Sequence, residues 1–414
     1  MRTIYALFLL LLSLLLPVST QAEEALRQVR GVVCDAETGA PLSHVAVSIL
    51  GTNIGTVTNA DGRFVLKSTE PELAHGVKCS HVGYLNLMLS KGQIDRAAGE
   101  LQLQMKAVSL HMGEVTIYGG TGRELVEAAI RNIASNYSDR ETLFEAFHRE
   151  TVQKRRNYIA VSEAVMDLYK TSYERRDIHS DKVRLTRGRR VKRLQMSDTL
   201  AVKIVGGPAM ALVLDVVKNG EELLGEESLD DYEFRMVAPV SIDNRAQHVI
   251  QLMPRVVREY ALFHGTIYID QERLSFTRIE LSLDQSDPAK ASRVMLRQRP
   301  PGLRFRPMEL AFVITYRMQG ERVHLNYVRS TFRFKCDWKR RLFSAPYTAV
   351  SESVMVNRED TPRIIRYKEA FRAHDIFYDE VEAYADPDYW RDYTIIEPSE
   401  SLEKAVARLR KQHK

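Results

Sequence analysis

The densest set of side chains able to grip another molecule lies between Lys182 and Arg193, where Arg184, Arg187, Arg189, Arg190, Lys192 and Arg193 crowd together. Guanidinium forks match the paired oxygens of a phosphate or carboxylate. This cluster therefore predicts contact with an anionic lipid headgroup, lipopolysaccharide or acidic polysaccharide; the competing reading is a solvated strand face, neutralised by the acidic run 221–231. His374, Asp375, Asp379 and Glu380 set carboxylates one helical turn apart, but no second His stands at ligand spacing, so a charged helix surface is the better reading. The chain has no His-Glu-x-x-His, no Gly-x-Ser-x-Gly and no phosphate-binding glycine loop. His44, His75 and His81 have no nucleophilic or acidic companion that sequence alone can place. These residues point to a non-enzymatic protein without a cofactor, with an unrecognised hydrolase as the weakest alternative.

Three cysteines, Cys34, Cys79 and Cys336, contain no C-x-x-C pair, which argues against zinc. Cys34 shares strand phase with Val32 and Cys79 with Val77, so both are expected to point into a core. There they are either inert buried thiols or a disulfide, Cys34 to Cys79, if their strands are neighbours.

The elements that hold these residues begin at the start of the chain. Met1-Arg2, an apolar run over 4–16, Pro17 and Thr20-Gln21-Ala22 describe a secretory signal peptide cleaved after Ala22. The apolar run is shorter than the roughly 20 residues a bilayer span needs. No Cys follows at the place a lipoprotein would require one. Loss of Arg2 lowers the net charge from +5 to +4, too small a surplus to suggest nucleic acid.

Between residues 32 and 89, short alternating runs are separated by turns. Asn59-Ala60-Asp61-Gly62 predicts a hairpin joining 55–58 to 63–66, and Gly39-Ala40-Pro41-Leu42 is a second turn. With Val45, Val47, Ile49, Val77, Cys79, Leu101, Leu103 and Met105 the pattern gives about seven strands, the rhythm of a small β-sandwich.

The ordered set Gly31-Val32-Val33, Thr38-Gly39-Ala40-Pro41-Leu42, Gly51-Thr52, Gly55-Thr56-Val57-Thr58, Asp61-Gly62-Arg63-Phe64 and Val82-Gly83-Tyr84 resembles the carboxypeptidase-regulatory-like domain. This resemblance covers residue 28 to about 117. It implies a transthyretin-like, Ig-like sandwich of the kind found at the start of Bacteroidota cell-envelope proteins, with none of the peptidase's zinc ligands. The stretches 265–270 and 332–340 resemble the uncharacterised periplasmic region that follows such a sandwich. A likeness of architecture alone connects the rest of the chain to lipoprotein-carrier folds.

Past residue 117, Thr121-Gly122-Arg123-Glu124 has capping-box spacing and starts a helix that should run to about residue 136. Runs 143–153 and 158–170 read as a strand pair, with a helix left open for the second. Gly206-Gly207-Pro208 and Asn219-Gly220 frame a short apolar helix over 209–217, a core element or a gated plug. From 232 to 356, Ile279, Leu281 and Leu283 typify alternation in an antiparallel meander, which helices can convert into an apolar groove. Tyr389 and Trp390 cap a core or meet a sugar or partner, and a last amphipathic helix occupies 399–414.

The sequence thus predicts a multidomain protein: signal peptide 1–22, sandwich 23–117, an α+β domain on an antiparallel sheet over 118–398, and the terminal helix. Its expected work is interaction or scaffolding near the outer membrane with an envelope protein as partner. The alternative is a periplasmic carrier or sensor of a lipid or glycan.

Overall fold

The computed structural model describes residues 27–97, 99–108, 119–190, 206–296, 302–338, 345–360, 363–372, 375–386 and 389–392. The expected signal peptide and terminal helix, together with Lys192, Arg193 and His374, lie outside the described residues.

The N-terminal unit is a β-sandwich of seven strands. Strands β1 (Arg27–Asp35), β4 (Arg63–Ser68) and β7 (Leu101–Met105) form one sheet in the order β4-β1-β7. Strands β2 (Ala46–Ile49), β3 (Gly55–Val57), β5 (Val77–Ser80) and β6 (Leu87–Leu89) form the other, β3-β2-β5-β6. Val29, Val33, Val47, Ile49, Phe64, Leu66, Val77, Cys79 and Leu103 fill the space between them.

The expected hairpin at Asn59 is a different structure. Strands β3 and β4 belong to opposite sheets, so Asn59-Ala60-Asp61-Gly62 carries the chain across the sandwich. Asn59 Oδ1 accepts from the amides of Asp61 and Arg63, both at 2.9 Å. Gly62 takes φ +72° and would set a Cβ against the Val33 carbonyl. Local alternation shows the turn, whereas the partner of each strand is decided by distant residues.

The Cys34–Cys79 bridge is not formed, and both thiols are free. Val29, Gly31, Val33 and Asp35 are the buried set of β1, so Cys34 and Val32 face away from the sandwich core. Cys79 faces into it, and burial pushes its thiol up to about 12.

The second unit is built on one ten-stranded antiparallel sheet, β10-β9-β8-β17-β16-β15-β14-β13-β12-β11. Its strands are β8 (Thr142–Lys154), β9 (Asn157–Lys170), β10 (Lys182–Arg190), β11 (Tyr232–Ile242), β12 (Arg245–Pro254), β13 (Phe263–Asp270), β14 (Phe276–Leu283), β15 (Leu303–Gln319), β16 (Arg322–Trp338) and β17 (Ala345–Glu359). All but one of the connections between sheet neighbours are sequential; β17 closes back on β8 and so ties the two halves together. Edge strand β11 contains Pro239 inside a register shift, where a missing amide costs no ladder bond.

Helix Gly122–Arg131 starts as its capping box requires: the Thr121 side chain accepts from Glu124 N at 3.2 Å, and Thr121 N donates to Glu124 Oε2 at 2.7 Å. Its Leu125, Val126 and Ala129 pack on the inner face of the sheet. The following turn, Ile133–Asn136, is closed by Arg322, which donates to the carbonyls of Ser135 and Tyr137.

The outer face of the sheet receives the sandwich. Val57 joins Phe147, Val165, Tyr327 and Val354 in a shared apolar cluster. The tip of the β11–β12 hairpin, Asp243 and Asn244 with φ 56° and 58°, is gripped from the other side. Lys78 Nζ donates to Asp243 at 2.7 Å, and the amide of Asn86 donates to Asn244 Oδ1 at 2.7 Å. Both faces of the sheet are therefore covered around its middle strands. Among the described residues, no helix is long and apolar enough to cross a membrane.

One substitution tests this register. A Cβ on Gly265 would overlap the carbonyl oxygen of Glu280 on β14. Gly265→Ala is therefore expected to shift the urea midpoint down by the equivalent of about 1–3 kcal/mol, the usual cost of overpacking.

Candidate functional site

The inner face of the sheet carries an apolar pocket of about 330 Å³. Phe263, Leu281 and Phe312 come from neighbouring strands β13, β14 and β15, and Leu214, Val216 and Leu223 close it from above. Tyr232, Tyr260 and Asp231 stand at its polar side. Alternation in β14 sends Leu281 inward and Glu280 outward, which is how the sheet presents a continuous apolar surface here.

The cover of this pocket is the segment 206–224. Helix is confined to Met210–Val213, much shorter than the expected 209–217. Gly206 and Gly207, at φ +85° and +69°, turn the chain into it. Asp215, just past the helix, is turned inward with no exposure.

Asp215 is the hub of a sealed ionic cluster. Its Oδ2 accepts from Tyr173 at 2.6 Å and faces Lys170 Nζ at 2.8 Å; its Oδ1 accepts from Tyr316 at 2.8 Å. Lys170 also lies 3.4 Å from Asp181, which accepts from Thr171 N at 2.8 Å. Lys218 donates to Thr171 Oγ1 at 3.0 Å and to the Ser172 carbonyl. Tyr137 stacks on Tyr173 with ring centres 5.1 Å apart.

Burial alone would depress Lys170, but Asp215 and Asp181 outweigh it and hold its ammonium above the usual lysine value. Lys218 lacks such a close carboxylate, and burial pulls it down to about 8. Lys170, Asp215 and Lys218 are each wholly buried, so this cluster has acid, base and amine groups but no room for a substrate. It staples the cover to the sheet. In the sequence Asp215 is one polar letter in an apolar run, and its signal is that single acid, three residues before Lys218.

The described arginines of the cluster, Arg184, Arg187, Arg189 and Arg190, lie along edge strand β10, and intramolecular acids take their charge. Arg184 pairs with Asp167, Arg187 with Asp386 at 3.5 Å, Arg189 with Glu163 at 2.5 Å and Arg190 with Glu382. Three also stack on aromatics: Arg187 on Tyr389, Arg189 on Trp390 and Arg190 on Tyr378. The row thus fastens residues 378–386 and Tyr389–Trp390 over the sheet edge; among the described residues, the acidic run 221–231 is not the partner of these four arginines. Trp390 is buried against Phe147 and donates from Nε1 to the Gly188 carbonyl at 2.9 Å, a core cap. Asp375, Asp379 and Glu380 do not converge, and among the described residues no group of three His, Cys, Asp or Glu side chains is placed to hold a metal.

No curated protein matches the chain. A DUF1329 family protein from Desulfovibrio piger is similar in structure at 8% identity, over 60% of this chain and 98% of that one, with a TM-score of 0.26. A putative membrane-associated protein of unknown function from Bacteroides fragilis is similar at 10% identity, over 80% and 97% of the two chains, with a TM-score of 0.14. Likeness at those scores carries no argument about this chain. The family described as CarboxypepD_reg-like domain matches residues 29–117, and this match agrees with the sandwich and its turn motifs. Residues 29–117 are a CarboxypepD_reg-like domain, a non-catalytic Ig-like module.

Proposed function

We propose that this is an exported, non-enzymatic protein of the cell envelope that acts by binding, and that its large sheet takes an apolar chain of lipid or glycolipid type on its inner face. The observation that carries this reading is the pocket of about 330 Å³ walled by Phe263, Leu281, Phe312, Leu214 and Val216. That volume is within the range of small-ligand sites, at its lower end. Each methylene moved into it from water contributes about 0.8 kcal/mol. The sandwich is held on the opposite face of the sheet.

Interaction with an envelope partner is a second reading, supported by edge strand β6. Leu85 and Met88 are exposed at 45% and 51%, beside a sheet edge of the type that accepts an added strand. A hydrolase is the least supported reading, because the cluster richest in catalytic residue types is sealed around Asp215.

A fluorescent fatty-acid analogue tests the first reading. Leu281→Trp places an indole in the pocket while keeping the position apolar, and is expected to weaken probe binding by about tenfold or more with the fold intact. Unchanged affinity in a folded Leu281→Trp protein would remove the pocket as the binding place.

A further inference from the structure

A second cavity, of about 100 Å³, lies between the sandwich and the outer face of the sheet. It is independent of the apolar pocket. Its wall contains four cationic side chains, Lys78, Arg245, Arg278 and Arg317, against two carboxylates, Asp243 and Asp270. Three of the cations are neutralised: Lys78 by Asp243 at 2.7 Å, Arg245 by Asp270 at 2.5 Å and Arg278 by Glu280 at 2.5 Å. Arg317 differs. Among the described residues it forms no salt bridge; its Nη2 donates to the Asn53 carbonyl at 3.0 Å, and its Nε is sealed from solvent without a hydrogen-bond partner.

The sandwich supplies a matching orphan. His81 lines the same cavity, and its Nδ1 is likewise buried without a partner. The backbone of His44 engages the imidazole, and burial pushes the ring's pKa down to about 4. A neutral ring whose other nitrogen donates presents Nδ1 as an acceptor. The cavity wall thus holds, from two different domains, a guanidinium without a salt bridge among the described residues and an imidazole with an open acceptor. An unmade bond at either group is costly, as is an unpaired buried charge.

We propose that this interdomain cavity is a binding site for a protonated phosphate, as the free ion or as the terminal group of a phosphomonoester. Hydrogenphosphate has oxygens that accept from Arg317 and a hydroxyl that donates to His81, and its negative charge offsets the extra guanidinium. Sulfate, which has no proton at neutral pH, satisfies Arg317 alone. The enclosed volume suits the phosphoryl group, so an ester substituent leaves past the partly exposed rim of Lys78, Asp243 and Arg245. Bound phosphate joins the sandwich to the sheet and stabilises their docking.

The test is thermal unfolding of the full chain at about pH 6.5, where the protonated form of a phosphomonoester is well populated. About 10 mM inorganic phosphate is expected to raise Tm by about 2 °C or more, with sulfate at equal ionic strength giving less than half of that. Glycerol 3-phosphate separates the sources: a larger shift than with inorganic phosphate assigns the site to an ester, and an equal or smaller one to the free ion. His81→Phe, which removes the Nδ1 acceptor, should abolish the difference between phosphate and sulfate. Should that variant not fold, the wild-type chain still decides. Equal shifts with phosphate and sulfate, or none with either, would overturn the proposal.

Discussion

Asp215→Ala is expected to lower the free energy of unfolding by about 3–5 kcal/mol, the cost of removing one partner from a buried ion pair. Asp215 serves Lys170, Tyr173 and Tyr316 at once, at 2.6–2.8 Å. Its removal leaves Lys170 with Asp181 alone, at 3.4 Å, and two buried hydroxyls without acceptors. Asp215→Asn should recover only part of the loss, since an amide accepts at one atom and lacks the charge Lys170 requires. Guanidinium chloride unfolding gives the difference directly. A loss below about 1 kcal/mol would mean that the cluster does not hold the cover. Because Leu214 and Val216 reach the pocket from this cover, the same variant should bind the fatty-acid probe more weakly in its folded state.

Glu163→Ala is expected to cost a similar amount, about 3–5 kcal/mol, by a separate route. Arg149, Glu163 and Arg189 face one another across β8, β9 and β10. Glu163 takes Arg149 Nε at 2.6 Å and Arg189 at 2.5 Å while almost fully buried. Its loss removes the carboxylate that both guanidinium groups share. Burial raises the Glu163 carboxyl, but Arg149 and Arg189 outweigh it and hold the pKa below the ordinary value. A depressed native pKa means that this stabilisation is present above the unfolded-state pKa, near 4.5, and is lost as pH falls through the native one. The stability gap between wild type and Glu163→Ala should accordingly be constant near neutrality and narrow in acid, read from urea midpoints across that range. A gap that widens in acid would contradict the assignment.

The parts of the structure legible in the sequence are those fixed by neighbours in the chain. Thr121 and Glu124 are three residues apart and make their box; Ile279, Leu281 and Leu283 alternate and face the core. Runs 143–153 and 158–170 fall within the paired strands β8 and β9. What stayed hidden depends on residues far apart. The pattern around Asn59 announces a turn but not that β3 and β4 join different sheets. Cys34 lies one residue off the phase of Val33, and a slip of one residue reverses the face.

The sites follow the same division. The arginine cluster was visible as composition, but its partners Asp386, Glu382, Tyr389 and Trp390 lie roughly two hundred residues away. Asp215 meets Lys170 and Tyr316 only once the cover folds back over the sheet. The pocket itself is a property of three strands and one segment together, and no local pattern announces it.

The most direct measurement of the central claim is native mass spectrometry of the protein purified gently from its own envelope fraction. Binding of an apolar chain predicts a reproducible added mass that dissociates as a lipid or glycolipid and is diminished in Leu281→Trp. A folded wild-type protein carrying no added mass, and taking up none from lipid-loaded micelles, would contradict it.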